Sequence, residues 1–306
     1  MSHKKALDNE TKRNVAQTVQ ILILDAMSRN TSWTVNEIVF QGGTSLNLAY
    51  RSPRFSEDLD FIVSKDLDFS KEVRKISSYV RDGLQTSFPG AAVRLSEKHT
   101  EGTPLHLFMF AIDLPGTHGS VHVKTEFFKA EPNLLREYDG EYRTLFGKMN
   151  IAPLFSVATT EQIFVDKMFA IGNRGFLKWR DFFDVWWLES QFGLSVDRIA
   201  TFPNILEHCA HLYHKAPSDA VFGLHRFLDT QTDDLVVLAE KDLKPWLPEN
   251  LWERFYPDVV RRMVEISKKN CEAALRIIAD GEVEKSGIGK RECSKEDSDA
   301  LHEPGS

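Results

Sequence analysis

Phe40-Gln41-Gly42-Gly43-Thr44-Ser45-Leu46-Asn47-Leu48-Ala49-Tyr50, continued through Arg51 to Arg54 into Phe55-Ser56-Glu57-Asp58-Leu59-Asp60-Phe61-Ile62-Val63, is the most informative run in the chain. The apolar residues Ile38-Val39-Phe40 read as a strand, and the glycine pair after them permits a tight turn with positive φ and close approach of a ligand to the backbone. Thr44 and Ser45 are expected to supply N-cap hydroxyls to a helix in which Leu46, Ala49 and Tyr50 recur at helical spacing. Free N–H groups at a helix start attract phosphate. In Asp58-Leu59-Asp60-Phe61-Ile62-Val63 the two carboxylates lie two residues apart, so a strand puts them on one face and Leu59 and Phe61 on the other. Paired like charges repel unless a cation offsets them, and magnesium takes one or two carboxylates together with phosphate oxygens. The reading is therefore a site for a triphosphate and its metal ions.

Either half alone is an ordinary feature, a plain turn or a solvated strand face. Their order, strand, glycine turn, helix and Asp-x-Asp strand, with fourteen residues between Gly43 and Asp58, is far more specific. It resembles the signature of the polymerase-β-like nucleotidyltransferase superfamily. Gly42 to Leu46 with Arg54-Phe55-Ser56-Glu57-Asp58-Leu59-Asp60-Phe61 is similar to the AbiEii/AbiGii toxin family, which includes the MenT-type toxins. The resemblance implies an α+β protein, a nucleotidyltransferase-fold mixed-sheet domain followed by a helical C-terminal domain.

Later residues extend the resemblance. Val121-His122-Val123-Lys124-Thr125-Glu126-Phe127 alternates strictly, placing His122, Lys124 and Glu126 on one strand face. The fold takes a third carboxylate from a later strand beside the first two, and Glu126 matches it; a solvated sheet face would show the same alternation. In the helix read from Thr159 to Ile171, Thr159 with Gln162 is similar to a capping box, and Lys167 shares a side with Phe164. That lysine either snorkels to solvent or reaches a phosphate. The next helix, from about Lys178, is apolar nearly all round, yet Asp181 and Asp184 share its side with Val185 and Leu188. Arg180 to Asp184 at i, i+4 offers a structural pairing, and family members carry the same lysine, basic residue and Asp-x-x-Asp.

Bulk properties set the frame. The chain has 306 residues, 42% of them hydrophobic, enough for two modest domains or one large one. No apolar run approaches a membrane span and the first residues lack the apolar segment of a secretory signal, so a cytoplasmic location is expected and no membrane partner. Cys209, Cys271 and Cys293 lie too far apart for a disulfide framework or zinc ribbon. A net charge of −7 provides no general basic field, so an RNA would have to be met by a local patch.

Elsewhere the pattern predicts a helix from Asp8 to Arg29 with Val15, Val19, Leu22 and Ile23 buried, a helix from Ser70 burying Val73, Ile76, Val80 and Leu84, and strands at Ala91 to Leu95 and Leu105 to Leu114, the second central in a sheet. Glu131 to Pro153 reads as irregular, and a domain change is placed there. The expected division is 1–150, a nucleotidyltransferase-like domain with an N-terminal helix; 151–280, a helical domain completing the site; and 281–306, a disordered tail rich in Glu, Lys, Ser and Asp. Further helices are expected at Ile205 to Lys215, Asp219 to Leu228, Asp233 to Leu243 and Trp252 to Ile278. His208, His211 and His214, every third residue, are expected to be exposed rather than metal-bound.

The resemblance implies transfer of a nucleotide from a nucleoside triphosphate to an acceptor, the tRNA 3′ end in the first instance, by the toxin of a bacterial toxin–antitoxin or phage-defence pair with a cognate antitoxin. Asp58, Asp60 and Glu126 would bind two magnesium ions, or manganese in their place. Gly42, Gly43, Thr44 and Ser45 would hold the β and γ phosphates, with Arg54, Ser56, Lys124 and Asp184 counted among the nucleotide-binding residues. Lys167 would close over the phosphates, and Asp181 would orient Lys167 or act near the acceptor. Transfer to a protein or small molecule, a metal-dependent glycosyltransferase, and a catalytically silent nucleotide-binding module are the alternatives.

Overall fold

The computed structural model describes residues 5–30, 33–68, 70–99, 102–147 and 149–296. It divides into two compact units, Met1–Phe164 with Lys241–Tyr256, and Val165–Glu240 with Pro257–Ser306.

The first unit opens with a short strand β1 (Lys5–Ala6) and helix α1 (Asn9–Asn30), followed by β2 (Ile38–Gln41), α2 (Gly42–Tyr50), β3 (Leu59–Ser64) and α3 (Ser70–Ser87). β4 (Ala92–His99), β5 (Leu105–Asp113), β6 (Thr117–His118), β7 (Val121–Ala130), α4 (Pro132–Glu137), β8 (Gly140–Thr144) and β9 (Leu154–Ala158) follow. Seven of these strands make one mixed sheet in the order β4-β5-β7-β3-β2-β9-β8; β3 runs parallel to β7 and β2 to β9, and the other neighbours are antiparallel.

The register explains why the centre of this sheet is well defined. Phe40, Phe61 and Phe127 are aligned across β2, β3 and β7, with ring centroids 5.1 Å apart in each adjacent pair. Since side chains alternate between faces, a row of phenyls on one side forces Gln41, Asp60 and Glu126, also register partners, onto the other. A one-residue slip would expose three phenyl rings and bury the carboxylates. The apolar stripes expected for α1 and α3 are buried, Val15, Val19, Val80 and Leu84 completely.

Several expectations give way here. β5 is second from the edge and alternates buried and half-exposed residues, where apolar residues on both faces had suggested a central strand. The segment read as irregular holds α4 and β8, and β9 follows it directly. β8, Gly-Glu-Tyr-Arg-Thr, was hidden because it is a largely exposed edge strand with no apolar alternation. β9 pairs with β2, so the sheet extends past the expected break at 150 and the division falls at Phe164.

The second unit is helical. α5 (Thr160–Asn173) carries the chain into it, and α6 (Trp179–Phe192), α7 (Phe202–Leu212), α8 (Val221–Asp229) and α9 (Thr232–Asp242) follow; α10 (Glu249–Phe255) belongs to the first unit and α11 (Asp258–Glu296) to the second. Gly172 and Gly223 let α5 and α8 meet backbone to backbone: a Cβ on Gly223 would lie 2.0 Å from the Gly172 carbonyl oxygen. The expected disordered tail meets a continuous helix as far as Glu296, although Gly281, Gly287 and Gly289 each cost about 1 kcal/mol in a helix; residues 297–306 lie outside the described residues. Among the described residues no helix is long and apolar enough to cross a membrane.

Candidate active site

The glycine pair lies inside the first turn of α2 rather than before it. Gly42 has φ +83°, and a Cβ there would come within 2.6 Å of Asp60 Oδ2. A Cβ on Gly43 would lie 2.2 Å from Arg54 Nη2 and 3.0 Å from Ser56 Oγ. The turn is glycine because three polar side chains lie against its backbone.

This alters the roles expected for Thr44 and Ser45. The N-cap position is Gln41, without a side-chain cap, and both hydroxyl residues are buried within the helix. Ser45 Oγ donates to the Gly42 carbonyl at 2.8 Å, and Thr44 Oγ1 donates to the carbonyl of Asp58. The Thr44 bond ties the helix start to the residue that carries the first carboxylate. Arg54 is also buried, its Nη1 donating to the Phe55 carbonyl at 2.9 Å.

Asp58 sits just before β3, Asp60 within it, and Glu126 opposite Asp60 on β7. The three carboxylates expected from sequence are thus brought to one region of the first unit, and Lys124 joins them. Its ammonium lies 3.1 Å from Asp58 Oδ2 and 2.7 Å from Glu126 Oε1. Partial burial works against the charged form of Lys124, but the hydrogen bond to Glu126 and the charge of Asp58 outweigh it and hold the ammonium above the ordinary lysine value. Three carboxylates are the donor chemistry of a hard divalent cation, so the residues fit magnesium in kind. Among the described residues, however, no three His, Cys, Asp or Glu side chains are drawn together into a metal-binding group, and Lys124 supplies the positive charge between Asp58 and Glu126.

Gln20 was missed by the sequence reading. Its Nε2 donates to the carbonyls of Ser56 and Glu57, both at 2.9 Å, and so fixes the loop that delivers Asp58. The one signal was a polar residue between Val19 and Ile21, in the apolar stretch of α1, and it is almost fully buried.

The second unit holds a separate charged cluster. Lys167 on α5 lies 3.0 Å from Asp181 Oδ1 and 3.0 Å from Asp184 Oδ2 on α6, and both carboxylates are buried. Arg174 Nε approaches Asp181 Oδ2 to 3.3 Å, an ion pair without hydrogen-bond geometry. Burial pushes the Asp181 carboxyl up, but Lys167, Arg174 and Lys178 overcome it and hold the group below its usual range. Lys178, at the α6 N-cap, is itself lowered by burial to about 8, with Asp181 opposing and Arg180, Arg174 and Lys167 reinforcing the shift. Of the expected residues, Lys167, Asp181 and Asp184 therefore form one group, and Arg174 is an addition. His208 is buried, contrary to expectation, while His211 and His214 are exposed; His214 lies past the end of α7 at φ +54°.

A family model described as nucleotidyl transferase AbiEii toxin, type IV toxin–antitoxin system, matches residues 26–263. The chain belongs to the AbiEii family. It is thereby a nucleotidyltransferase toxin of type IV toxin–antitoxin systems, and a triphosphate substrate and a cognate antitoxin come with membership. Among solved structures, JHP933 from Helicobacter pylori is 18% identical, with 94% of this chain and 100% of that one covered at a TM-score of 0.50, a likeness of fold. MenT4, a nucleotidyltransferase toxin from Mycobacterium tuberculosis, is 15% identical over 88% of this chain and 94% of its own at 0.48. No curated protein matches this AbiEii chain.

Proposed function

We propose that this AbiEii protein transfers a nucleotide from a nucleoside triphosphate to the 3′ end of tRNA, with Asp58, Asp60 and Glu126 as the acidic centre. The observation that carries the reading is the register of Asp60 and Glu126 on parallel strands, with the Gly42 backbone packed against the Asp60 carboxylate. The acceptor hydroxyl attacks the α-phosphate, the bond to the α,β-bridging oxygen breaks, and pyrophosphate leaves. Magnesium held by the three carboxylates would offset charge on the transferring phosphoryl group and acidify the hydroxyl. The Gly42-Gly43 backbone accommodates phosphate at the start of α2, where N–H groups lack partners of their own. Lys124, paired with both Asp58 and Glu126, holds the two carboxylates in place. For Lys167, Asp181 and Asp184 the proposal is a requirement for activity.

The test incubates the parent protein and Asp60→Ala with each α-³²P nucleoside triphosphate, magnesium and total bacterial RNA, followed by a denaturing gel. Label in tRNA-sized RNA with the parent and not the variant is the expected result. Label on protein alone would move the acceptor to a polypeptide. No label despite measurable triphosphate binding would overturn the transferase reading in favour of a silent module.

A further inference from the structure

Beside the acidic centre, within the first unit, lies a cavity of about 410 Å³ built from α1, the loop before Asp58, the start of β7 and the segment at Pro245 and Trp246. That volume falls within the roughly 300–1,000 Å³ of small-ligand sites. It adjoins the candidate active site at two points. Ser56, on its wall, is the residue whose Oγ lies 3.0 Å from a Cβ position on Gly43. His122, also on the wall, shares a face of β7 with Lys124 and Glu126, about 7 Å along the strand for each pair of residues.

Its lining combines rings, cations and acceptors. The Arg13 guanidinium lies 4.7 Å from the centroid of the Phe55 ring and donates to the Pro245 carbonyl; the Phe55 N–H donates to the Trp246 carbonyl at 2.8 Å. These bonds tie together the backbone that carries Phe55 and Trp246, both of which line the cavity. Lys12 is exposed at the edge of the cavity, and Glu57 adds an acceptor. Gln17 lines it too, and among the described residues its Oε1, shielded from water, has no hydrogen-bond partner, an acceptor that a side-chain rotation would present to a donor.

We propose that this cavity is a nucleotide subsite: a base packs on the Phe55 and Trp246 wall, its amino group or ribose hydroxyls meet Gln17 and Glu57, and its phosphate meets Lys12. Aromatic platforms with flanking cations are what single nucleotides require. The inference rests on the transferase reading for its choice of ligand class. The occupant is either the 3′-terminal nucleotide of the acceptor or the base end of the incoming triphosphate.

The full chain would be titrated calorimetrically with AMP, CMP, GMP and UMP, alongside Trp246→Ala and Lys12→Glu. At least one monophosphate is expected to bind, about tenfold or more weakly after Trp246→Ala, with a several-fold loss and a shallower salt dependence after Lys12→Glu. Thermal midpoints monitor folding, and the exposed Lys12 decides the matter where Trp246→Ala unfolds. Binding that persists under a saturating non-hydrolysable triphosphate supports the acceptor nucleotide; competition supports the donor base. No binding by the parent, or parental affinity in both variants, overturns the subsite. The gel assay separates the two readings. Label transfer by Trp246→Ala at parental KM values sinks the subsite alone, whereas an inactive parent with Trp246-sensitive binding sinks the transferase reading alone.

Discussion

At the scale of single residues, the acidic centre depends on side chains that are absent as much as on those present. Gly43→Ala would place a methyl group 2.2 Å from Arg54 Nη2, and buried Arg54 has little room to retreat. Label transfer is expected to fall by at least tenfold, with a stability loss of about 1–3 kcal/mol from overpacking, read as a lower urea midpoint. Unchanged transfer would show that Arg54 and Ser56 need not lie against this turn. Lys167 makes a different prediction. Lys167→Met leaves Asp181 and Asp184 without their shared ammonium, and the expected cost lies toward the lower end of roughly 3–5 kcal/mol because Arg174 stays beside Asp181. Adding Asp181→Asn and Asp184→Asn to Lys167→Met should restore most of that stability. If activity stays lost in the restabilised triple variant, the cluster serves chemistry; if activity returns with stability, it serves the fold.

At the scale of elements, α6 begins on a lysine whose folded pKa lies near 8, below the ordinary 10.5. A depressed lysine binds fewer protons in the native state than in the unfolded chain between these two values. Stability therefore rises with pH from about 8 to about 10.5, and below about 8 the folded state carries the full penalty of the buried charge. Lys178→Met is expected to flatten that rise in urea midpoints measured across the window; an equal slope in parent and variant would show that Lys178 is not desolvated. The elements also show how much of the site was legible. α3 and β7 were readable because each buries one face with a strong period, and α1, β2, α2 and β3, buried on more than one face, because apolar runs and the glycine turn mark them. The N-cap role of Thr44 and Ser45 was misread because an N-cap and a first-turn residue share the same local sequence signal, and only the position of Asp58 shows that Thr44 bonds back to it.

At the scale of the molecule, the chain leaves its first unit at Phe164 and comes back for Lys241–Tyr256. The returning segment bonds to Arg13 and Phe55, so it closes the wall of the cavity beside the acidic centre. A fragment of residues 1–164 is expected to melt lower and less cooperatively than one in which 241–256 is fused to it by a flexible linker. Equal melting of the two fragments would show that the returning segment adds nothing to the unit. No local pattern announces such a return, because Lys244-Pro245-Trp246 reads as a break between helices whichever unit receives it.

The sequence by itself determined the strand, glycine turn, helix and Asp-x-Asp order and the strand face of Glu126, because each is a periodicity or spacing within one or two elements, whereas the roles expected of Glu126, Lys167 and Asp181 came from the family resemblance. The tertiary structure alone decided that Lys124 bridges Asp58 and Glu126, that Lys167 is shared by Asp181 and Asp184, that Gln20 holds the loop of Asp58, and that β8 and β9 extend the sheet. Periodicity fixes which way a side chain points. Which partner it meets depends on strand register and on how distant elements pack, and no short stretch of chain contains that information.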